Sequence, residues 1–416
     1  MATVFKTIGR AIALYLFAPV GIADTEPPAA PAIAHVFLIV LENKSFSDTF
    51  GASRQDPYLQ RTLPQQGALL TRYYGTGHSS LDNYIAMISG QSSTRETETD
   101  CEEFSDFAFK RLDPDGQAVG TGCVYPSQIK TLTAQLESAG LTWKGYMEDM
   151  GNDPARESAT CAHPALNAKD QTQAAEAPRE GLSAGDQYAV RHNPFMYFHS
   201  IIDRPSCAHH VVNLNRLVED LRSVSTTPNF SFITPNLCND GHDGDGTGAA
   251  GKGCVDGNPG GLTSADAFLK AWVPKILKSP AYKKDGLLMI TFDEGDFSPP
   301  ETVTDPQTGK TTITTRAAGE HCCGQRMGPN IVRPVVQTFV ESSKVTYLVE
   351  IEGYGGDRIG AVLLSRFIKP GTVSNAPYNH YSLLRSLEDI YHLNHLGYAA
   401  QPGLRTFGRD VFTGLE

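Results

Sequence analysis

Continuous apolar segments alternate along the chain with segments whose apolar residues recur every three or four positions. Residues 34–41 (AHVFLIVL) and residues 285–292 (DGLLMITF) are apolar almost throughout. This uninterrupted pattern is typical of strands that are buried on both faces, as in a parallel sheet. Residues 81–89 instead show helical periodicity, with an apolar face formed by Leu81, Tyr84, Ile85 and Ile88. We expect Gly90 to end that helix.

The same alternation continues through the chain and predicts its fold class. We predict further strands at residues 67–74, 141–147, 229–234 and 358–365. We predict further helices at residues 127–139, 207–224, 264–277 and 381–391. Residues 149–187 are expected to form surface loop, and residues 298–315 a loop or hairpin near the active face. Strands that alternate with helices predict one α/β domain with a central, mostly parallel sheet flanked by helices.

Polar clusters follow four of the predicted strands at the points where those strands end. They are Glu42-Asn43, His78-Ser79-Ser80, Asn236 to Asp243, and Asp293-Glu294-Gly295-Asp296. Ligands of open α/β sheets bind beyond the carboxyl ends of the strands. If the sheet is parallel, all four clusters face one edge, and we therefore expect them to build one site.

Carboxylates from separate strand ends would raise one another's pKa if they were crowded together without a cation. A divalent metal ion removes that cost, and oxygen ligands for it are available from Glu42, Asn43, Asp293 and Glu294. Asp240 and His242 could complete this site or build a second one. The predicted cofactor is a divalent metal ion, and the mixture of oxygen and imidazole ligands does not choose among Mg, Mn, Ca, Zn and Fe.

Ser80 is the candidate nucleophile because it lies where a predicted helix begins. Backbone N–H groups at a helix start are unpaired and can hold a phosphate group. A metal ion that contacts the serine oxygen would lower its pKa. An ordinary helix cap is the structural alternative for a serine at this position. The segment GHSSL at residues 77–81 lacks the second glycine of the lipase G-x-S-x-G turn, which disfavours that mechanism.

The N-terminus has the pattern of an export signal. Lys6 and Arg10 precede an apolar run at residues 11–20, and Gly21-Ile22-Ala23 supplies a small-residue cleavage pattern. We predict a signal peptide at residues 1–23, a Pro/Ala linker at residues 24–33 and the main domain at residues 34–416. A buried N-terminal helix is the alternative. The protein is expected to be secreted or periplasmic, with no transmembrane anchor, because no second long apolar segment follows.

The charge and the cysteines narrow the choice of partners and of compartment. The formal net charge is −11, which argues against binding to nucleic acid or to anionic lipid surfaces. A phosphate substrate remains compatible, because a bound cation reverses the local field. Eight cysteines in an exported chain predict disulfides, with sequence-near pairs Cys101–Cys123 and Cys238–Cys254. Adjacent Cys322 and Cys323 are expected not to pair with each other, because that ring is strained.

Five segments, in order, resemble a known family. They are Glu42 to Phe46 (ENKSF), His78 to Tyr84 (HSSLDNY), Pro235 to Asp243 (PNLCNDGHD), Phe292 to Asp296 (FDEGD) and Asn379 to Asp389 (NHYSLLRSLED). They are similar to the elements of a bacterial phosphoesterase family that contains phospholipases C and a group of acid phosphatases. Ser79 and Asp82 replace prolines of the family pattern, which leaves Ser79 as the alternative nucleophile.

The resemblance implies an alkaline-phosphatase-like domain with a central, mostly parallel sheet. It implies a metal ion held by Glu42, Asn43, Asp293 and Glu294, and Ser80 as the nucleophile. Asp240, His242 and His380 carry over as phosphate contacts or ligands of a second metal. For His380 taken by itself, a capping or core histidine is the alternative. Many of the lipases continue well beyond the last element, whereas this chain does not, and the expected substrate is therefore a small, soluble phosphate monoester.

The resulting hypothesis is hydrolysis of phosphate monoesters through a phosphoserine at Ser80. Asn83, one turn further along the helix, is a predicted phosphate contact, and His242 or His380 is the predicted proton donor to the leaving group. One alternative is a phospholipase C that recognises a phospholipid head group and needs an apolar rim, for which Tyr73, Tyr74 and Phe297 are candidates. A second alternative is a metal-stabilised binding protein without catalysis.

Overall fold

The computed structural model of the protein describes residues 31–51 and 55–413. The predicted signal peptide, residues 1–23, and most of the predicted linker lie outside the described residues. Among the helices that are described, none is both long enough and apolar enough to cross a membrane. The predicted domain limits stay predictions.

Within those residues the strands are β1 (His35–Leu41), β2 (Ala68–Leu70), β3 (Tyr73–Tyr74), β4 (Ala108–Leu112), β5 (Ala118–Thr121), β6 (Trp143–Met147), β7 (Val211–Asn213), β8 (Phe230–Thr234), β9 (Gly286–Phe292), β10 (Glu301–Thr304), β11 (Thr311–Ala317), β12 (Val335–Val340), β13 (Val345–Ile351), β14 (Ala361–Ser365), β15 (Thr372–Ser374) and β16 (Tyr378–Asn379). The α-helices are α1 (Leu63–Gln66), α2 (Ser80–Ser89), α3 (Leu132–Ser138), α4 (His199–Ile202), α5 (Cys207–His210), α6 (Leu217–Asp220), α7 (Gly261–Lys278), α8 (Pro280–Asp285) and α9 (His380–Ile390). Short 3₁₀ segments occur at Thr97–Thr99, Val190–His192, Pro194–Tyr197, Leu214–Arg216 and Gly397–Ala400, and single π turns at Ser47–Gly51 and Tyr58–Thr62.

The central sheet contains eight of the described strands in the order β15-β2-β14-β9-β1-β8-β6-β7. β14 runs antiparallel to both of its neighbours, and every other pair in the sheet is parallel. All residues of β1, β8 and β9 are buried, so both faces of the sheet centre are covered. This arrangement confirms the predicted α/β fold class with a mostly parallel sheet. It also sets the carboxyl ends of β8, β1 and β9 side by side.

A small parallel pair of strands positions the two helices that carry Ser80 and His380. The predicted strand at residues 67–74 is divided, because only β2 joins the central sheet. β3 pairs instead with β16, with Tyr73 opposite Tyr378 and Tyr74 opposite Asn379. The chain passes from β3 through a short loop into α2, and from β16 directly into α9. Ser80 and His380 therefore begin neighbouring helices.

A second sheet of four described strands, in the order β10-β11-β13-β12, lies outside the central one. The predicted loop or hairpin at residues 298–315 contributes the antiparallel pair β10 and β11. The hydrophobic pattern of the sequence predicted no strand at β12 or β13. The sequences VVQTFV and VTYLVEI show no regular alternation of apolar and polar residues, and most of their residues are half-buried or exposed, so the signal is weaker than the continuous apolar runs of the central sheet.

Two predicted helices were wrong in extent or in kind. The predicted helix at residues 207–224 is instead α5, strand β7, a 3₁₀ turn and α6, because β-branched Val211 and Val212 extend to pair with β6. The predicted helix at residues 127–139 begins only at Leu132. Thr131 adopts an extended conformation and its hydroxyl accepts a hydrogen bond from the Ala134 N–H at 3.2 Å, which caps the helix there.

The disulfides agree with two predictions and contradict a third. Cys101 pairs with Cys123 and Cys238 with Cys254, as predicted, and Cys161 pairs with Cys207. Cys322 and Cys323 are bonded to each other, contrary to the expectation from ring strain. Cys323 has φ 64°, and the N–H of Gln325 donates to the carbonyl of Cys322 at 2.9 Å. A tight turn with a left-handed residue therefore accommodates the ring.

Leu38→Ala is expected to lower the free energy of unfolding by about 2–5 kcal/mol, because Leu38 is fully buried in the central strand and its removal leaves a cavity. Chemical denaturation measures the change. Val303→Ala, on exposed β10, is the matched control and should change it by less than about 0.5 kcal/mol. Equal losses in the two variants would contradict the placement of β1 at the centre of the core.

Candidate active site

Three neighbouring strand ends bring the predicted carboxylates together. The backbone N–H of Glu42, just after β1, donates to the carbonyl of Asp240, which follows β8, at 2.9 Å. The backbone N–H of Asn43 donates to the Asp293 carboxylate at 2.9 Å. Asn43 has φ 50°, a conformation that asparagine tolerates better than most residues. The structure therefore places Glu42, Asn43, Asp240 and Asp293 around one point at the edge of the sheet.

These carboxylates are buried, and their electrostatics are unfavourable when they are all ionised. Burial, followed by the charges of Asp293 and Asp240, raises the pKa of Glu42 well above its usual value. Burial is also the largest cause that raises the pKa values of Asp240 and Asp293. Crowded acidic groups with raised pKa values are characteristic of functional sites.

The donor atoms at this point fit a divalent cation. Among the residues that the structure describes, four buried side-chain atoms here lack a hydrogen-bond partner: Asn43 Oδ1, His192 Nε2, Asp240 Oδ2 and Asp293 Oδ2. One ligand atom each from Glu42, His192 and Asp240 lie within 4.8 Å of one another. Buried polar atoms are normally paired, and a divalent cation would satisfy this convergent set. Carboxylate, amide and imidazole donors are the ligands of a divalent metal.

His192 is a member of this cluster that sequence analysis missed. Its Nε2 lies 3.4 Å from Glu42 Oε2, and its Nδ1 lies 3.5 Å from Asp240 Oδ2. The ring stacks on Tyr84, and burial lowers its pKa well below the usual value, which favours the neutral imidazole that binds metals. His192 lies in a 3₁₀ turn within a long irregular segment, so neither periodicity nor a strand end indicated it.

Ser80 opens α2 with its hydroxyl directed at this cluster. Its Oγ donates to Glu42 Oε2 at 2.8 Å, and the hydroxyl of Tyr84 donates to the other oxygen of the same carboxylate. Ser79 precedes the helix in an extended conformation, and its Oγ lies 2.8 Å from the carbonyl oxygens of both His78 and Glu98. Ser79 is thus turned toward the backbone, whereas Ser80 is turned toward the carboxylates.

The loop before Ser80 is held from behind by Asn83. The Asn83 amide group donates to Glu294 Oε2 at 2.9 Å and to the Gly77 carbonyl at 3.0 Å. Its oxygen accepts from the Thr76 N–H at 2.7 Å. Asn83 is fully buried and both the oxygen and the nitrogen of its amide have protein partners, so the predicted phosphate contact stays a prediction. Asn83 instead fixes the position of Glu294 relative to the nucleophile loop.

His380 lies behind the site rather than in it. It is fully buried, its Nε2–H donates to the Asp293 carbonyl at 2.6 Å, and its Nδ1 accepts from the Tyr73 hydroxyl at 3.1 Å. Burial lowers its pKa to about 4, so the ring is neutral at physiological pH. Both ring nitrogens of His380 are engaged by protein groups in this arrangement, and its role as a proton donor stays a prediction. The histidine orients the end of β9.

His242 and Arg191 face the open side of the cluster. A cavity of about 340 Å³ lies over Ser80, and six of its lining residues are Asn43, His78, Ser80, Arg191, His242 and Glu294. His242 is half exposed, with Nδ1 2.9 Å from the Asp243 carboxylate. Arg191, which sequence analysis also missed, is buried and lies 3.9 Å from Asp100. The cavity therefore combines a hydroxyl, a guanidinium and an imidazole above buried carboxylates.

The sequence model of the Phosphoesterase family matches residues 52–394. The chain belongs to the Phosphoesterase family. This confirms the resemblance that the five sequence elements indicated.

Relatives of this Phosphoesterase-family chain are distant in sequence. A phosphate-repressible acid phosphatase of Penicillium chrysogenum is 26% identical over 234 residues, which are 56% of this chain and 42% of that protein. A phosphatidylinositol-3-phosphatase of Mycobacterium tuberculosis is 23% identical over 371 residues, 89% of this chain and 81% of that protein. The chain spans less than half the length of the fungal and yeast acid phosphatases it matches. A solved protein of the alkaline phosphatase superfamily from Vibrio parahaemolyticus has a TM-score of 0.47 at 11% identity, covering 92% of this chain and 72% of that one.

Addition of Mn²⁺ alone is expected to raise the melting temperature of the purified protein by several degrees, because a ligand that binds only the folded state stabilises it. Asp293→Asn should remove most of that shift, since it takes away one carboxylate of the cluster. Asp305→Asn, in the exposed turn between β10 and β11, is the matched acidic control and should keep the full shift. Differential scanning calorimetry measures all three, and equal shifts would argue against this cation site.

Proposed function

We propose that the protein is an exported, metal-dependent phosphatase that hydrolyses phosphate monoesters through a phosphoserine at Ser80. The observation that carries the proposal is the hydrogen bond of 2.8 Å from the Ser80 hydroxyl to the buried Glu42 carboxylate, at the base of a cavity and at the start of α2. Membership of the Phosphoesterase family supports phosphoric ester hydrolysis. The names of the relatives, acid phosphatases and a phosphatidylinositol-3-phosphatase, support a monoester substrate.

The residues that would hold the metal ion are Glu42, Asn43, Asp240, Asp293 and His192, with Glu294 nearby at the cavity wall. When bound, a divalent cation supplies positive charge that favours the ionised serine and offsets the charge of the phosphate. Burial raises the pKa of Glu294 well above its usual value, and Asn83 holds its carboxyl in place.

Ser80 Oγ attacks phosphorus in line with the ester oxygen. Its proton moves to Glu42 Oε2, which already accepts the hydrogen bond of the Ser80 hydroxyl. The bond from phosphorus to the ester oxygen breaks as the bond to Ser80 Oγ forms. His242, at the open side, gives its proton to the departing alkoxide. Water then attacks the phosphorus of the phosphoserine and gives one proton to His242. As the bond from phosphorus to Ser80 Oγ breaks, Glu42 returns the proton to the serine oxygen. Serine, imidazole and carboxylate end as they began.

Arg191 and the first turn of α2 are placed to bind the phosphate oxygens. A guanidinium matches the geometry of phosphate and stays charged at every relevant pH. Backbone N–H groups in the first turn of α2 other than that of Leu81 add donors, and the helix start adds the positive end of the helix dipole. The N–H of Leu81 donates to Asp100 at 3.0 Å, so this carboxylate caps the helix while its other oxygen faces Arg191. Arg191 is thereby held beside the helix start.

Phospholipase C activity is the second candidate, because the cavity over Ser80 also contains the aromatic residues Phe297 and Phe339 that a head group or lipid could contact. A phosphodiester places a second substituent on phosphorus. Comparison of a chromogenic monoester with a phosphocholine ester separates the two functions, and preference for the monoester is expected.

Ser80→Ala is expected to reduce kcat for a chromogenic phosphate monoester by at least about a thousandfold, because the attacking oxygen is lost. Steady-state assays with added Mn²⁺ measure the loss, and acid quenching with a radiolabelled substrate should trap phosphoenzyme in the wild-type protein but not in Ser80→Ala. Ser79→Ala, which removes the neighbouring hydroxyl, is the matched control and should retain activity within about tenfold. Reversed effects of the two substitutions would assign the nucleophile to Ser79, and full activity in both would refute the mechanism.

Arg191→Ala is expected to weaken inhibition by inorganic phosphate about 10- to 100-fold, because a charge-assisted hydrogen bond to phosphate contributes about 1.5–3 kcal/mol. Arg191→Lys should restore part of the affinity, since it keeps the charge but not the forked geometry. The inhibition constant and KM measure the effect, and the melting temperature checks that the fold is intact. An unchanged inhibition constant would remove Arg191 from the phosphate site.

A further inference from the structure

The cavity over Ser80 has two chemically different ends. One end carries Ser80, Arg191 and His242, the groups assigned above to phosphate. The other end is lined by apolar side chains of the outer sheet, together with Phe297, whose ring centroid lies 4.9 Å from that of His78. A phosphate group has no favourable contact with such a surface, because burial of a charged group against apolar atoms costs free energy. The apolar end therefore needs a different occupant.

One face of the outer sheet forms this apolar end. Pairing of β12 with β13 sets Gln337 opposite Val349 and Phe339 opposite Tyr347. Because side chains alternate across a strand, Gln337 and Phe339 share one face of β12, and Val336 and Val340 occupy the other. The residues of the first face that line the cavity are Gln337, Phe339, Val349 and Ile351. The two sides of one strand thus differ sharply in position relative to Ser80.

Along β13 this face leads outward from the site as a graded apolar path. Ile351 is 2% exposed, Val349 is half-buried and Tyr347 is 37% exposed, with Phe339 at 49% beside it. Four residues of extended strand span about 13 Å. The path is continuous with the phosphate end, because the same cavity is bounded by Ser80 and by Ile351, Val349 and Phe339.

The path is fixed relative to Ser80 by the Glu98 residue. The amide of Gln337 donates to the Glu98 carbonyl at 3.2 Å, and Ser79 Oγ lies 2.8 Å from the same carbonyl oxygen. The Arg333 guanidinium pairs with the Glu98 carboxylate, and both side chains are 6% exposed. The outer sheet and the nucleophile loop therefore share one anchor, which fixes the position of this face relative to Ser80.

We propose that this face, made of Phe339, Tyr347, Val349 and Ile351, binds the leaving group of the substrate and selects phosphate monoesters that carry an alkyl chain or an apolar ring. The inference rests on the proposed phosphatase function and adds the class of ester that it prefers. The occupant is the apolar part of a single ester molecule, since the path begins inside the cavity that holds the nucleophile. Burial of an apolar leaving group stabilises the bound ester in proportion to the apolar area covered, so the logarithm of kcat/KM rises with that area.

The test measures kcat/KM of the purified protein with Mn²⁺ for ethyl, butyl and hexyl phosphate and for glycerol phosphate, all below their micellar concentrations. The value is expected to rise about twofold or more for each added methylene, because part of each group leaves water. The ratio of hexyl to ethyl phosphate should therefore be about tenfold or more. In the double variant Phe339→Ser with Val349→Ser, that ratio should fall by at least about fivefold.

The matched control is the double variant Val336→Ser with Val340→Ser, on the opposite face of β12. Both valines are exposed, at 58% and 71%, so this control also replaces two apolar side chains of the outer sheet with serine. The control should keep the full hexyl-to-ethyl ratio. An equal fall of the ratio in both double variants would overturn the proposal, because it would show a general effect of the outer sheet rather than contact with this face.

Further outcomes separate this inference from the function it rests on. Turnover of all the esters with no dependence on chain length would overturn the leaving-group assignment and leave the phosphatase function intact. No turnover of any ester would overturn the phosphatase function, and the assignment with it. The same assays are repeated with phosphatidylcholine vesicles added. A chain-length effect that appears only in the presence of the vesicles would assign the face to a lipid surface instead of a single ester molecule and would also overturn the proposal.

Discussion

The crowding of Glu42, Asp240 and Asp293 at the edge of the central sheet is the constraint on which the rest of the structure depends. The strands β8, β1 and β9 are adjacent, so their carboxyl ends deliver these acidic groups to one point whether or not they repel. Burial raises their pKa values, which shows that ionisation of all three is unfavourable in the folded protein. The fold therefore carries an electrostatic cost that a divalent cation would remove.

The surrounding polar side chains hold the carboxylates and their backbone in place through hydrogen bonds. Tyr84 and Ser80 each donate to one oxygen of Glu42, so the carboxylate has a defined orientation. His380 holds the backbone at Asp293, and Asn83 ties Glu294 to the loop before α2. Positions of donors and acceptors fixed in this way cost no reorganisation when charge develops during a reaction. The supports come from α2 and α9, which explains why the small β3–β16 pair matters.

The sequence predicted those strands and site residues that follow a simple hydrophobic pattern. Strands β1 and β9 were predictable because they are continuous apolar runs, and the acidic residues after them were predictable because ligands bind at strand ends. The positions of Arg191 and His192 in the site were not predictable, because both residues lie in an irregular segment whose position is set by tertiary packing alone. The vicinal Cys322–Cys323 bond could not be predicted from ring strain, because the left-handed conformation of Cys323 that accommodates the ring is set by a turn in the folded chain. The complete burial of His380 could not be predicted from its motif, because it depends on the packing of α9 against the end of β9.

The reacting groups depend on carboxylates at the strand ends of the central sheet, whereas the apolar wall of the cavity belongs to the outer sheet, and this division separates chemistry from selectivity. Buried carboxylates from the central sheet tolerate little change, because each depends on the exact position of its neighbours and an unpaired buried charge is costly. The wall from the outer sheet consists of half-exposed apolar side chains whose contribution scales with area and not with direction. Substitutions there alter the size and polarity of the wall while the strand ends stay in place. Differences in leaving-group preference can therefore arise on β12 and β13 with little cost to the site that carries the reaction.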